Sequence, residues 1–188
     1  MSSEKIILFF SPEIIYLSAL FSLGCLQTLQ LSQVDVFGAL NIFFKKQFGD
    51  AIKKSECGYT GGDDDLAVVD YQHVCSGETG HVEAVQFTFD PVRTTYKDLV
   101  TFFFRIHDPT TPDCQGNDRG SQYRSVIFYE DSDQKSIAKK VKKEVQENFD
   151  KPIVTEIVRA STWYRAEDFH QEYLKRNPNG YCNHYLRW

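Results

Sequence analysis

The residues able to do chemistry fall in turn-rich or strand-end positions. They are the phenols Tyr71 and Tyr123, the carboxyls Glu83, Asp108 and Asp118, the imidazoles His81, His107 and His170, and the thiols Cys75 and Cys182. Glu83 stands out on parity. Residues 81–89 (HVEAVQFTF) alternate like a strand closed by Asp90-Pro91, and Glu83 shares its face with Val85, Phe87 and Phe89. A carboxylate on an apolar face is costly unless neutralised or hydrogen-bonded, and burial raises its pKa. The other reading is a strand-end Glu that reaches water. No Cys-x-x-Cys or His-x-x-x-His pair sets up a structural zinc site, and Gly116-Asn117-Asp118-Arg119-Gly120 is not a phosphate-cradling loop. His73-x-Cys75 is a weak pair. A carboxyl on a buried face, phenols, a loop Asp and thiols suit proton donation to a small polar group beside a redox thiol.

These groups need a scaffold, and the sequence supplies one globular domain. The chain has 188 residues, 41% hydrophobic and 25% charged, with a net charge of −5. That excludes a disordered chain and argues against a nucleic-acid binder, which would carry a basic surplus. Five cysteines (Cys25, Cys57, Cys75, Cys114 and Cys182) do not make a disulfide scaffold, and their odd number leaves at least one thiol unpaired within the chain. Phe43, Phe44, Gln47 and Phe48 predict a short helix stopped by Gly49, and Gly58–Gly62 reads as a turn-rich segment. The acidic run Asp63-Asp64-Asp65 reads as a solvated loop, since it lacks the Gly and distal Glu of a calcium loop. Thr95-x-x-Asp98 opens a helix with Leu99, Phe102, Phe103 and Ile106 on one stripe. A long irregular stretch at 108–122 follows, of a kind that is often functional. Residues 124–129 and 153–158 read as strands, with a helix between them capped by Asp131 or Ser132. A last short helix is expected from Ala166 to Leu174. The pattern is α+β.

The segments GYTGG (58–62), YQHVCSGETGHVEAVQFTFDP (71–91), HDPTTPDCQGNDRGSQYRSVIF (107–128), KPIVTEI (151–157) and AEDFHQEYLKRNPNGYC (166–182) resemble the A-type peptide methionine sulfoxide reductases. The likeness runs from about Lys45 to Cys182, and GHxE, HDPTT, QGNDxGxQYRS and AEDxHQ together are very specific. It implies a two-layer α+β sandwich with a ferredoxin-like core. It also implies reduction of the S-epimer of methionine sulfoxide, free or in proteins. A thiolate attacks the sulfoxide sulfur while a glutamic acid protonates its oxygen, leaving a sulfenic acid. A resolving cysteine condenses with the sulfenic acid, and thioredoxin reduces the disulfide as an external reductant, with no bound cofactor and no metal. Carried over by motif, the acid is Glu83, the phenols bonding the sulfoxide oxygen are Tyr71 and Tyr123, and Asp118 is the loop carboxylate. Cys182 matches a resolving position, the other reading being a loose tail thiol. Cys75 is the thiol nearest Glu83 in sequence and reads as structural.

The chain departs from the family at one decisive place. Aligned back from Lys45–Gly49, the Gly-Cys-Phe-Trp-Gly motif falls on Asp35-Val36-Phe37-Gly38-Ala39. Val36 stands at the nucleophile position, and Phe37 and Gly38 at the methyl-binding pocket, where the family has Trp in place of Gly38. A valine cannot attack sulfur. Read one nucleotide earlier, the back-translated message for Ser32–Phe44 permits Phe-Ala-Ser-Gly-Cys-Phe-Trp-Gly-Ala-Glu-His-Ile-Phe, the active-site segment in register. This points to a frame-shifted start, with the frame restored near Phe43-Phe44. The loop before Tyr71 is also two residues longer than is usual and lacks an Asn-Pro.

Residues 1–35 are set apart as an apolar N-terminal segment, and 36–188 as the reductase-like domain. The apolar stretch 6–26 reads as a secretory signal, a membrane anchor or sequence foreign to the fold. Pro12 and Glu13 interrupt it, which makes membrane insertion costly. The expectation is a cytoplasmic monomer, or a secreted or anchored protein if the stretch is a genuine signal. Two functions compete: the reductase, inactive as written through Val36, and a pseudoenzyme that binds methionine sulfoxide without turnover.

Overall fold

The structure is a computed structural model that describes residues 26–32, 39–180 and 184–188. In chain order its elements are β1 (Gln27–Ser32), α1 (Ala39–Phe48), β2 (Ile52–Thr60), α2 (Tyr71–Cys75), β3 (Val82–Phe89), α3 (Tyr96–Ile106), β4 (Cys114–Gln115), β5 (Asp118–Arg119), β6 (Val126–Tyr129), α4 (Ser132–Val145), β7 (Glu156–Arg159), β8 (Tyr164–Arg165) and α5 (Tyr173–Arg176). Six strands form one sheet in the order β7-β6-β1-β3-β2-β8, and β4 with β5 makes a separate hairpin. All pairings are antiparallel except β6 with β7, which α4 joins as a parallel crossover. The chain is α+β, as the sequence predicts.

β3 is the spine. Leu31, Val85 and Cys57 align across β1, β3 and β2, and Leu29 lies opposite Phe87 in the next row of that face. These side chains are buried, and α1 and α3 close over them. The Phe44 ring stacks on Phe87 at 4.4 Å and meets the edge of Phe102 at 5.2 Å. α3 starts on the expected capping box: the Asp98 N–H donates to Thr95 Oγ1 at 3.1 Å, and the Thr95 N–H returns to Asp98 Oδ2 at 3.2 Å. α4 is capped by Asp131, whose carboxylate accepts the N–H groups of Asp133 and Gln134 at 2.9 and 2.8 Å.

Several elements differ from the sequence reading. Gly58 to Thr60 continue β2 instead of turning, because Tyr59 and Thr60 are buried and paired with Glu83 and Val82 of β3. Gly58 is required there for space: a Cβ would lie 2.5 Å from the Trp163 ring and from the Tyr164 carbonyl. The irregular stretch 108–122 contains the β4–β5 hairpin. The helix expected over Ala166–Leu174 is a series of turns followed by the four-residue α5, with Glu172 at φ +51. Side chains of that stretch bond to β2 and α2 in place of a regular helix. β1 lies ahead of residue 36, where the sequence sets the start of the domain, and sits in the middle of the sheet. The apolar residues 6–25 lie outside the described residues. Among the described residues no helix is long and apolar enough to cross a membrane.

The last residues dock beside the end of α3. The Arg187 N–H donates to the Arg105 carbonyl at 2.8 Å, and Arg105 Nε donates to the Trp188 carbonyl oxygen at 2.9 Å. His107 is fully buried: Nδ1 donates to the Phe103 carbonyl at 2.6 Å and Nε2 accepts from Ser125 Oγ at 3.0 Å. Burial pushes His107 down to about 3 and His184 down to about 4, Arg187 adding to both. His81 and His170 are also held below the ordinary imidazole value, chiefly by burial. Each is neutral when folded and takes up a proton more readily when unfolded. Their contribution to stability is therefore complete above the unfolded value of 6.5 and is lost as pH falls from there through the folded values. We expect the urea midpoint to drop between pH 7 and pH 5, before the carboxylates titrate; a flat midpoint over that range contradicts this account.

Candidate active site

Three pieces of backbone converge on the end of β3. α2 begins at Tyr71, with Asp70 as its cap accepting the His73 N–H at 3.0 Å. One helical turn later comes Cys75, on the same face as Tyr71. Tyr123 arrives on a tight turn (Ser121–Tyr123) entered through Gly120 at φ +138. Gln122 of that turn donates its Nε2 to the Cys75 carbonyl at 3.4 Å, which ties the turn to α2. The turn is fixed to the sheet through Ser32 of β1, whose Oγ donates to the Arg124 carbonyl at 3.0 Å. Glu83 itself is 4% exposed and lies opposite Tyr59. The strand parity is thus realised in the interior, and the alternative of a strand-end Glu reaching water is set aside.

The two phenols flank a thiol. The Tyr71 and Tyr123 phenols both lie close enough to Cys75 to influence its ionisation. Burial raises the Tyr71 phenol above its usual range, as do neighbouring Cys75 and the nearby charge of Glu83. Burial likewise pushes Tyr123 up to about 12, with Glu83 and Cys75 adding to it and Asp118 contributing from β5. Both phenols therefore stay protonated and keep an O–H to donate at neutral pH. Two preorganised donors beside a buried carboxyl make a site for a small oxygen acceptor that gains negative charge or a proton. Burial and the charge of Glu83 raise Cys75 despite the neighbouring phenols. At neutral pH it is a thiol, not a thiolate, and so a poor nucleophile.

One contributor was not picked out from the sequence. Glu167 accepts the Tyr59 hydroxyl at 2.8 Å on Oε2 and the Tyr71 N–H at 3.0 Å on Oε1. Cys75, named as a chemical candidate but read as structural, sits beside both phenols, and its i,i+4 spacing from Tyr71 was the available signal. Of the residues read as chemical, the structure brings together Tyr71, Cys75, Glu83 and Tyr123. It sets Asp118 at the edge of the group and His170 against the Tyr71 ring, with centroids 4.6 Å apart. His81 lies elsewhere, its Nε2 3.9 Å from Asp64 Oδ1. His107 and Asp108 belong to the C-terminal docking site. Val36, Phe37, Gly38 and Cys182 lie outside the described residues. Among the described residues no group of three His, Cys, Asp or Glu could hold a metal.

An antiparallel-dominated α+β sheet thus carries a buried carboxyl whose charge reaches two phenols. The sequence model of the peptide methionine sulfoxide reductase family matches residues 35–187, and the chain belongs to that family. A probable peptide methionine sulfoxide reductase of Schizosaccharomyces pombe is 49% identical over 142 residues, covering 73% of this chain and 82% of that protein. A peptide methionine sulfoxide reductase MsrA of Sulfolobus acidocaldarius is 48% identical over 126 residues, covering 66% and 70%. Among solved structures, Mxr1 of Saccharomyces cerevisiae in reduced form is 36% identical with a TM-score of 0.82, over 87% of this chain and 93% of that one.

Thiol chemistry follows from this geometry. Cys57 is buried in the sheet, and burial with the charges of Glu83 and Glu56 pushes it up to about 12. We expect native-state alkylation near pH 8 to label Cys114 first, Cys75 more slowly because its thiol is raised, and to spare Cys57 until the protein unfolds. Peptide mapping by mass spectrometry reads the three sites separately, and early labelling of Cys57 contradicts its placement.

Proposed function

We propose that the site binds the S-epimer of methionine sulfoxide, free or in a protein, through its oxygen. The convergence of the Tyr71 and Tyr123 hydroxyls beside buried Glu83 supports this most directly. In the complete reaction the sulfoxide oxygen accepts both phenol O–H groups and takes a proton from Glu83. A cysteine sulfur attacks the sulfoxide sulfur, which is reduced to the thioether, while the oxygen passes to the cysteine as a sulfenic acid. A second thiol, assigned to Cys182, expels water and forms a disulfide, which a dithiol reductant then reduces. That Mxr1 of Saccharomyces cerevisiae has been solved in complex with Trx2, at 26% identity and a TM-score of 0.59, supports a thioredoxin as the reductant. The reading places the protein in the cytoplasm as a monomer, in a compartment where thiols stay reduced.

The chain as written lacks the attacking thiolate. Val36 has no nucleophilic atom, and Cys75 is held as a thiol among the phenols. The second reading is accordingly a pseudoenzyme that binds methionine sulfoxide without turnover. In a thioredoxin-coupled assay we expect no turnover from this chain. Val36→Cys with Gly38→Trp restores it, and an inactive but folded double variant contradicts the register given to Val36. Transcript sequence across codons 30–46 tests the frame-shift reading, which an unshifted valine codon at 36 overturns. In the active background, Glu83→Gln lowers the single-turnover rate about 100-fold with little change in sulfoxide affinity, as expected for loss of a general acid. An altered affinity at unchanged rate contradicts that role.

A further inference from the structure

We infer that Glu167 is a positioning residue for the sulfoxide-oxygen site, fixing Tyr71 from the far end of the chain; this rests on the role given to Tyr71 above. The Tyr71 amide is the first N–H of α2, one of the orphan donors every helix start leaves unpaired. Asp70 serves the His73 N–H and leaves that of Tyr71 to another acceptor. Glu167, 96 residues away, supplies it through Oε1 at 3.0 Å, and its Oε2 takes the Tyr59 hydroxyl at 2.8 Å. Tyr59 pairs with Glu83 across β2 and β3. One carboxylate thus bridges the strand next to the acid and the helix that carries the phenol.

The carboxylate is itself held rigidly. The Ala166 N–H donates to the Cys57 carbonyl at 3.0 Å. The Gln171 side chain accepts the Cys57 N–H at 2.9 Å and donates to the Cys57 and Ala166 carbonyls at 3.0 and 2.8 Å. His170 then lies along the Tyr71 ring, its Nε2 3.9 Å from Glu167 Oε2. The Tyr71 amide can only donate, and the Tyr59 hydroxyl donates too, so a carboxylate receives both bonds with its two acceptor oxygens. A glutamine there would keep the Tyr71 bond with its oxygen and meet the Tyr59 hydroxyl with its NH2, reversing that bond and exchanging a charge-assisted contact for neutral ones. Burial raises the Glu167 carboxyl, but the N–H and O–H donors outweigh it and hold the carboxyl below its ordinary value. The bridge therefore persists throughout the neutral range.

The test measures affinity for N-acetyl-methionine S-sulfoxide by NMR titration of the full chain and of the folded variants Glu167→Gln, Glu167→Ala, Tyr71→Phe and Tyr71→Phe/Glu167→Ala. Loss of one hydrogen bond to the ligand is about tenfold in Kd. We expect Tyr71→Phe and Glu167→Ala each to weaken binding about that much, Glu167→Gln to weaken it less, and the double variant to bind no worse than Tyr71→Phe alone. A residue that only stabilises the fold would lower the melting temperature without this non-additivity. If Glu167→Ala does not fold, Glu167→Gln decides, since it keeps one acceptor. Unchanged affinity in the Glu167 variants while Tyr71→Phe weakens binding overturns the inference alone. Unchanged affinity in Tyr71→Phe, or no saturable binding by the parent chain, overturns the role of Tyr71 and the inference with it.

Discussion

Burying one carboxyl on the apolar face of β3 is the constraint around which the rest of the site is built. Glu83 continues the row Val85, Phe87 and Phe89, which packs under α1 and α3. An ionisable group there is tolerated only with polar company. The company is drawn from distant parts of the sequence: Tyr59 from β2, Tyr71 and Cys75 from α2, and Tyr123 from the turn before β6. Because the partners come from three separate elements, the site exists only once the sheet has closed. The same partners would bind a sulfoxide oxygen, so the cost of burying the acid and the capacity to bind substrate have one origin.

The thiol in this group shows how context decides chemistry. Two neighbouring phenols favour a thiolate at Cys75, but burial and the charge of Glu83 outweigh them. Only the ionised form of Glu83 opposes a thiolate at Cys75; once protonated to act as the acid it carries no charge, and burial alone then holds the Cys75 thiol up.

Local rules in the sequence captured some features fully. The face of Glu83 followed from period two, the start of α3 from Thr95 and Asp98, and the start of α4 from Asp131, because each depends on residues within one element. The misreadings lie where a distant partner decides. Gly58-Tyr59-Thr60-Gly61-Gly62 has turn composition, yet pairing with β3 on one side and β8 on the other extends its first three residues. Ala166–Leu174 has helical spacing, but Glu167 and Gln171 bond to α2 and β2 in place of their own turn. The likeness to a reductase family supplied roles for Glu83, Tyr71 and Tyr123, while Glu167 stayed hidden because tertiary pairing of β8 and bonds from Ala166 and Gln171 to β2 bring it to the site.

Gly58 carries a consequence out of proportion to its size. It has no functional atom, yet it is where β8 rests on β2, with Trp163 closing over the bare Cα. β8 ends at Arg165, two residues before Glu167. Any side chain at Gly58 would lift β8 and tilt the bridge to Tyr71 and Tyr59, like a pebble under one end of a beam. The tolerance of this protein to change is thus lowest not only at the reacting groups but also at a chemically silent position in the sheet.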